Sequence, residues 1–229
     1  MENLVLPAPA PVLLPVAGSE ALFPVRRIYC VGRNYADHAK EMGGDPQREP
    51  PFFFAKPADA AIPSGRRIAF PPATRNLHHE AELVVAIGLA GSDIPATGAE
   101  RHIWGHAAGN DLTRRDLQDA AKAGRRPWSM AKGFDNSAVI GALHPLSETG
   151  PMTSGRIRCH VDGALRQDGD LADMIWPVNE VIAFLSRLVT LAPGDLIMTG
   201  TPAGVGPILP GQSCRVSIDG LGAAETAFD

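Results

Sequence analysis

Two glutamates, Glu80 and Glu82, stand one residue apart in RNLHHEAELVVAIG (75–88), just where a strongly apolar run begins. Alternate residues of a β-strand point to the same side, so both carboxylates would project together. Burying two unpaired carboxylates side by side is costly, and a hard cation such as Mg²⁺, Mn²⁺ or Ca²⁺ between them offsets that cost. The alternative interpretation is a pair of exposed glutamates at a fraying strand end.

A third carboxylate, Asp111, follows another apolar run, HIWGHAAGND (102–111). With the two glutamates it would complete a face of three oxygen ligands, and Mg²⁺ bound there would keep positions for water and substrate. An Asp after an Asn is also a common turn or helix N-cap residue. Spacing alone does not bring Asp111 to Glu80, so the residues by themselves leave both interpretations open.

The segment NYADHAKEM (34–42) places His38 and Glu41 three residues apart, on one face of a predicted helix. A carboxylate beside a histidine raises its basicity and fixes its orientation, which suits a general base. The alternative is a surface pair of minor value for stability. Gly43-Gly44 follow and would give the helix a flexible exit suited to a lid, or simply a C-cap and turn.

Two further segments carry single residues with chemical potential. Lys132, in SMAKGFDNS, lies among small and apolar residues, and a buried lysine needs an anion or a carboxylate neighbour. Thr201 lies in the glycine-rich MTGTPAGVGP (198–207), which has neither the Walker A nor the dinucleotide-binding pattern. That loop can still offer backbone N–H groups and a hydroxyl to an anionic substrate. His78 and His79 receive no role.

The elements that must position these residues are mostly strands. Short apolar runs separated by many of the 24 glycines and 21 prolines predict a mostly β, α+β fold with a mixed sheet. Periodicity predicts helices over 34–42 and 178–195, the second stopped by Pro193-Gly194. The predicted strands are 25–32, 51–57, 82–88, 102–111, 156–163, 195–200 and 213–220.

The composition argues against several kinds of binding partner and site. The 229 residues are 45% hydrophobic and 20% charged, with a net charge of −4 and no concentrated basic face, which argues against a nucleic-acid partner. No apolar run approaches the roughly 20 residues of a membrane span. Three widely spaced cysteines predict neither disulfides nor a zinc site, and hence a reduced, cytoplasmic setting. The short basic pairs are interpreted mostly as solvated surface: Arg66-Arg67, Arg114-Arg115 and Arg125-Arg126.

Six motifs occur in one order: VGRNYADHAKEM, PFFFAKP, HHEAELVVAIG, GNDLTRRDLQ, AKGFD and MTGTPAGVG. In that order they resemble the fumarylacetoacetate hydrolase family, from about residue 25 nearly to the end. The resemblance implies a mixed β-roll of the family's C-terminal-domain type, usually a homodimer. It also implies an N-terminal extension (1–24) before a single catalytic domain (25–229). The extended N-terminal segment and the stretch REPPFFFAKPADA most resemble bacterial members that hydrolyse fumarylpyruvate in the gentisate pathway.

The resemblance also assigns roles to individual positions. It implies metal ligands at Glu80, Glu82 and Asp111, and an active-site lysine at Lys132. The histidine–glutamate dyad of the smaller members falls on His38 and Glu41. The substrate contacts that it implies are Arg33, Gln118 and Thr201.

The function implied is metal-dependent hydrolysis of a C–C bond in a 2,4-dioxo acid. The leading substrate is fumarylpyruvate, which would give fumarate and pyruvate with Mg²⁺ or Mn²⁺ as cofactor. Two alternatives stay open. One is oxaloacetate decarboxylation, or action on hydroxyhepta-dienedioate intermediates, as in other members of the family. The other is a metal-stabilised binding or scaffolding domain without turnover, against which His38, Glu41 and Lys132 argue.

Overall fold

The computed structural model describes residues 4–41 and 49–229, and the side chains of residues 39–41 also lie outside the description. The first expected helix is present as α1, Ala36–Glu41. The predicted lid exit at Gly43-Gly44 and the side chain of Glu41 fall outside the described residues.

The strands of the described residues are, in chain order, β1 Val12–Pro15, β2 Leu22–Val25, β3 Arg27–Gly32, β4 Phe52–Lys56, β5 Ala61–Pro63, β6 Arg66–Ile68, β7 Leu77–His79, β8 Ala81–Ile87, β9 Ile103–Asp111, β10 Thr113–Arg114, β11 Ala138–Ile140, β12 His144–Pro145, β13 Arg156–Val161, β14 Ala164–Asp170, β15 Asp195–Met198, β16 Gly206–Ile208, β17 Ser213–Ile218 and β18 Ala223–Phe228. The further helices are α2 Arg115–Ala123, α3 Ser129–Lys132, α4 Leu146–Thr149 and α5 Val178–Leu188, with 3₁₀ turns at Ala58–Ala60, Ala96–His102 and Leu171–Asp173.

The largest sheet has the strand order β4-β3-β15-β8-β9-β11-β5, with β12 pairing on β9. Its β3–β15 and β11–β5 pairs are parallel, and its other pairs are antiparallel. A second sheet has the order β14-β13-β17-β18-β6, and β10-β7-β16 and β1-β2 form two small ones. The predicted mostly β, α+β fold with a mixed sheet is therefore confirmed. None of the helices within the described residues has the length and apolar character that a membrane crossing requires.

Strand β8 is buried on both faces, which explains its continuous apolar sequence. Leu83 and Val85 face a core shared with the β13-β17-β18 sheet. Val84 and Ala86 face the opposite way, into a second core that the N-terminal hairpin covers. Because Glu82 alternates with Val84 and Ala86, its carboxylate lies on the second face, at the end of an apolar strip.

The N-terminal hairpin β1–β2 closes this second core. Leu14 and Phe23 are buried in it, and the Phe23 ring lies 5.1 Å from the ring of Trp104. The division of the chain into an extension (1–24) and a domain (25–229) stays a prediction.

The structure differs from the sequence-based prediction at two helices. The helix expected over 178–195 ends at Leu188, because Val189 is extended and Leu191 exchanges two backbone hydrogen bonds with Gly91. Helix α2 was not predicted at all. Its buried residues are Arg115 and Gln118, so the side that it buries is polar and a search for buried apolar residues does not find it.

A buried carboxylate ties the start of β15 to the start of β3. Asp195 is fully buried and lies 3.0 Å from Arg26 Nη1 and 2.8 Å from Arg27 Nη2. It also accepts a hydrogen bond from the backbone N–H of Ala192 at 2.9 Å. These contacts fix the parallel β3–β15 pair, whose far ends lead to Arg33 and Thr201.

Replacing Asp195 with Asn is therefore expected to lower the free energy of unfolding by roughly 2 kcal/mol, because two guanidinium groups lose their shared counter-charge. Urea unfolding at pH 7 measures the difference. The matched control is Asp93→Asn, at an exposed side chain 3.8 Å from Arg187, which should change stability by less than about 0.5 kcal/mol. Equal effects of the two variants on stability would contradict a stabilising role for the ion pairs of Asp195 with Arg26 and Arg27.

Candidate active site

Strand register brings the three predicted carboxylates together. The backbone N–H of Asp111 donates to the carbonyl of Glu80 at 2.9 Å, and Glu82 lies opposite Gly109 on β9. Carboxylate oxygens of Glu80, Glu82 and Asp111 lie within 4.8 Å of one another. All three residues are buried, so the alternative of exposed glutamates on a fraying strand end is wrong.

Cationic side chains surround this cluster. Lys132 Nζ lies 2.7 Å from Glu80 Oε2 and 2.7 Å from Asp111 Oδ2, which confirms the expectation that this lysine has a carboxylate partner. Lys56 Nζ lies 2.7 Å from the other oxygen of Asp111, and Arg115 pairs with the other oxygen of Glu80. Two of the three carboxylates are therefore each held by two cations.

Sequence reasoning missed Lys56 and misread Arg115. Lys56 is almost fully buried, and besides Asp111 it donates to the carbonyl oxygens of Leu112 at 3.3 Å and Ser137 at 3.0 Å. The interpretation of the Arg114-Arg115 pair as solvated surface is wrong for Arg115, whose exposed fraction is 4%. A lysine inside the apolar run PFFFAKP was the one signal available, since a buried lysine requires partners.

Glu82 differs from its two neighbours because it makes no ion pair with another described side chain. Its Oε2 accepts a hydrogen bond from the backbone N–H of Gly200 at 2.8 Å. Gly200 has a φ of 98°, and a Cβ there would lie 2.7 Å from Asn34 Cβ, so a glycine is required. Burial first, and then the charges of Asp111 and Glu80, raise the pKa of Glu82 well above its ordinary value.

Glu80 shows the opposite shift. Burial by itself would raise its pKa, but the charges of Lys132 and Arg115 hold the pKa of Glu80 well below its ordinary value. The oxygens of the three carboxylates thus have the spacing of metal ligands. No cationic side chain among the described residues pairs with Glu82. This donor set fits a hard divalent cation, which would favour the ionised form of Glu82.

One cavity gathers nearly all the other predicted site residues. Glu80 and Glu82 line it together with His38, Lys132, Arg33, Gln118 and Thr201. Its remaining walls include Arg115, Lys122 and three aromatic rings, those of Phe52, Phe54 and Trp128. The cavity is narrow, with about 30 Å³ of space accessible to water-sized groups. A much larger groove of about 570 Å³ lies over β17 and β18 and contains none of these residues.

The three predicted substrate contacts differ in burial. Gln118 is buried on α2, and its Oε1 accepts from Arg115 Nη1 at 2.5 Å, which leaves its amide hydrogens for another acceptor. Thr201 is buried, whereas Arg33 is exposed and has the left-handed φ of 59°, uncommon outside glycine. His78 supports the site indirectly, because its Nδ1 accepts from Arg115 Nε at 3.3 Å.

Comparison with known proteins decides the family. The fumarylacetoacetate (FAA) hydrolase C-terminal family model matches residues 27–229. The chain belongs to the fumarylacetoacetate hydrolase family. The fold described above is thus that of the family's C-terminal domain, as expected from the sequence.

Several members of the family are similar over nearly the whole chain. A crystal structure of fumarylpyruvate hydrolase from Pseudomonas aeruginosa, in complex with Mn²⁺ and pyruvate, is 51% identical with a TM-score of 0.96, over 99% of each chain. The mitochondrial oxaloacetate decarboxylase of Dictyostelium discoideum is 41% identical over 86% of this chain and 90% of its own length. The mitochondrial oxaloacetate tautomerase FAHD1 of Mus musculus is 41% identical over 86% and 88%.

The opposite pKa shifts predict opposite effects of two amide substitutions in the metal-free protein. With EDTA at pH 7, Glu82→Gln should leave the free energy of unfolding unchanged or raise it, because burying this charge opposes folding. Glu80→Gln should lower it by roughly 3 kcal/mol, because Lys132 and Arg115 lose a counter-ion. Urea unfolding of both variants measures the contrast.

The pH dependence of the stability of Glu80→Gln tests this electrostatic description. Folding lowers the pKa of Glu80, so its contribution is complete above its ordinary value of 4.5 and is lost as the pH falls below that value. The deficit of Glu80→Gln relative to the unsubstituted protein should therefore shrink on acidification. A deficit that is constant with pH, or a large loss for Glu82→Gln in EDTA, would contradict this electrostatic description.

Proposed function

We propose that the protein hydrolyses the C3–C4 bond of an acylpyruvate, with fumarylpyruvate as the first substrate and Mg²⁺ or Mn²⁺ as the cofactor. The observation that carries the proposal is the single cavity that joins the carboxylate cluster to His38, Lys132 and Thr201. The similarity to a fumarylpyruvate hydrolase that binds Mn²⁺ and pyruvate supports it over 99% of the chain.

Glu80, Glu82 and Asp111 are the residues that would hold the divalent ion. Bound there, the ion would polarise the carboxylate and 2-oxo oxygens of the substrate and stabilise negative charge that develops on them. Lys132 places its ammonium group between Glu80 and Asp111, and this positive charge supports a cation-binding role for the cluster. We propose that Lys132 turns toward the substrate when the ion is bound.

His38 is the proposed general base. It is buried and lines the cavity beside Glu80 and Glu82. There it would take a proton from water, so that the hydroxide attacks the C4 carbonyl of the substrate. Glu41 is the proposed partner that orients His38, as the sequence predicted. The C3–C4 bond then breaks, and its electron pair passes into pyruvate enolate.

Lys132 is the residue proposed to stabilise that enolate. Its ammonium group is almost fully buried, where electrostatic interactions are stronger than in water. Protonation of the enolate at C3 gives pyruvate, and the acyl fragment leaves as fumarate. The reaction consumes one water for each substrate molecule.

The charges at the site favour a dianionic substrate. With Glu82 ionised, the three carboxylates are balanced by the three cationic side chains that contact them, Lys56, Arg115 and Lys132. A divalent ion then leaves two positive charges, which a dicarboxylate neutralises. Arg33 and Lys122 add further positive charge along the cavity wall. Arg33, Gln118 and Thr201 remain the proposed substrate contacts.

A second candidate is the tautomerisation or decarboxylation of oxaloacetate. The observation in its favour is the 41% identity to an oxaloacetate decarboxylase and an oxaloacetate tautomerase. Both reactions also pass through an enolate of a 2-oxo acid, so the carboxylate cluster and Lys132 serve either one. Neither requires attack by water, so His38 is the residue whose role distinguishes the candidates. The homodimer, the cytoplasmic location and the place in gentisate catabolism stay predictions.

A substrate panel tests the function. Purified protein with Mn²⁺ is expected to consume fumarylpyruvate faster than acetylpyruvate, which has one carboxylate fewer, and faster than oxaloacetate. EDTA and Glu82→Gln should each reduce the rate at least about 100-fold, because each removes the metal. Absorbance and product analysis for fumarate and pyruvate measure the outcome. Turnover that survives EDTA would contradict a metal-dependent reaction, and turnover of oxaloacetate alone would favour the second candidate.

His38→Ala is expected to lower kcat for fumarylpyruvate by about 10²–10⁴-fold, because the water loses its general base. His144→Ala is the matched control, since His144 lies on β12 and is not among the cavity residues. Steady-state kinetics at saturating Mn²⁺ measure both variants. Near-full hydrolysis by His38→Ala would rule out the assigned role.

A further inference from the structure

We infer that Gln167 is a positioning residue that fixes the direction of the Thr201 hydroxyl and ties it to the backbone between Glu80 and Glu82. Gln167 lies on β14, in the second sheet, and is fully buried. No motif or spacing in the sequence distinguishes it. The inference rests on the proposed function only for the identity of the substrate that Thr201 contacts.

Four hydrogen bonds satisfy the Gln167 side-chain amide. Its Nε2 donates to Thr201 Oγ1 at 2.8 Å and to the carbonyl of Pro202 at 2.9 Å. Its Oε1 accepts from the backbone N–H of Ala81 at 3.0 Å and lies 2.9 Å from His79 Nδ1. The amide has two hydrogens and two lone pairs, so each is used once.

Two backbone groups determine which end of the amide is oxygen. The Ala81 N–H can only donate, and the Pro202 carbonyl can only accept. Exchanging Oε1 and Nε2 would set two donors against each other at Ala81 and two acceptors against each other at Pro202. The assignment is therefore unambiguous, and His79 must carry its hydrogen on Nδ1.

The Thr201 hydroxyl is constrained as a result. Its oxygen accepts from Gln167, so its own hydrogen must point away from the amide. Thr201 lines the cavity with Glu82 and Lys132, where a bound 2-oxo acid would present anionic oxygens. Gln167 thus presents Thr201 to the substrate as a hydrogen-bond donor, before any substrate is bound.

The same amide positions the metal-binding strand. Ala81 lies between Glu80 and Glu82, and its backbone N–H donates to Gln167 Oε1 at 3.0 Å. One side chain of the second sheet therefore holds both the glutamate pair and the loop that carries Thr201. This contact adds to the hydrogen bond from the Gly200 N–H to Glu82 in holding the Thr201 hydroxyl at a fixed distance from the glutamates.

The Gln167→Glu substitution replaces the amide group that donates to Thr201 with a carboxylate that accepts, and it hardly changes the size of the side chain. A carboxylate can only accept, so Thr201 would donate to residue 167 and turn a lone pair toward the substrate. Thr201→Val removes the hydroxyl at constant shape, and Thr201→Ser retains it. Gln212→Glu, on the surface turn before β17, is the matched control for the same substitution.

The experiment is a double-variant cycle with two readouts, KM for fumarylpyruvate and the Kd of oxalate measured by calorimetry with Mn²⁺. Oxalate mimics pyruvate enolate and requires no turnover. Gln167→Glu and Thr201→Val should each raise both constants by about tenfold or more, the loss expected for a hydrogen bond to a charged group, with kcat changed less than about threefold. Gln212→Glu should stay within about twofold, and Thr201→Ser, which retains the hydroxyl, should raise both constants less than Thr201→Val does.

The decisive result is the double variant. If Gln167 acts through the hydroxyl, Gln167→Glu in the Thr201→Val background should change the oxalate Kd by less than about threefold. Equal effects in both backgrounds, or an unchanged Kd for Thr201→Val, would overturn the inference. If Gln167→Glu does not fold, Gln167→Met takes its place in the same cycle. Failure of the unsubstituted protein to hydrolyse any acylpyruvate, with the expected oxalate pattern intact, would refute only the proposed function.

Discussion

Mutual repulsion among three buried carboxylates is the constraint on which the rest of the structure depends. Glu80, Glu82 and Asp111 are all buried, and they bring their oxygens within 4.8 Å of one another. Such a cluster is stable only with positive charge beside it. Lys132, from a short helix, and Lys56, from an edge strand, provide that charge for Asp111. Elements far apart in the chain are therefore held together by charge compensation as well as by apolar packing.

The sequence was sufficient for the parts of this site that depend on local pattern. The apolar runs before Asp111 and after Glu80 predicted strands β9 and β8, and the residue types predicted oxygen ligands for a hard cation. It was insufficient for Lys56 and Arg115, because their burial is stable only through partners 55 and 35 residues away. The end of α5 likewise depends on the tertiary pairing of Leu191 with Gly91 and has no local signal.

The floor and the rim of the cavity are built differently. Glu82 and Asp111 lie on the paired strands β8 and β9 in the centre of the largest sheet, and Glu80 directly precedes β8 and accepts a backbone hydrogen bond from Asp111. Arg33, His38 and Gln118 come from a loop and from helices α1 and α2. This separation is consistent with a family whose relatives include a hydrolase, a decarboxylase and a tautomerase. Under the proposed function, the strands would carry the chemistry of a 2-oxo acid enolate, and the rim would select the substrate and the use of water.

The pairing of β8 with β9 has a consequence for folding. Side chains alternate across a strand, so a slip of one residue would direct Asn110, instead of Asp111, toward the glutamates. An amide has no negative charge, and its NH₂ group cannot bind a cation. Binding of a divalent ion would therefore stabilise the native β8–β9 register relative to the register shifted by one residue. The ion would then contribute to correct strand pairing as well as to catalysis.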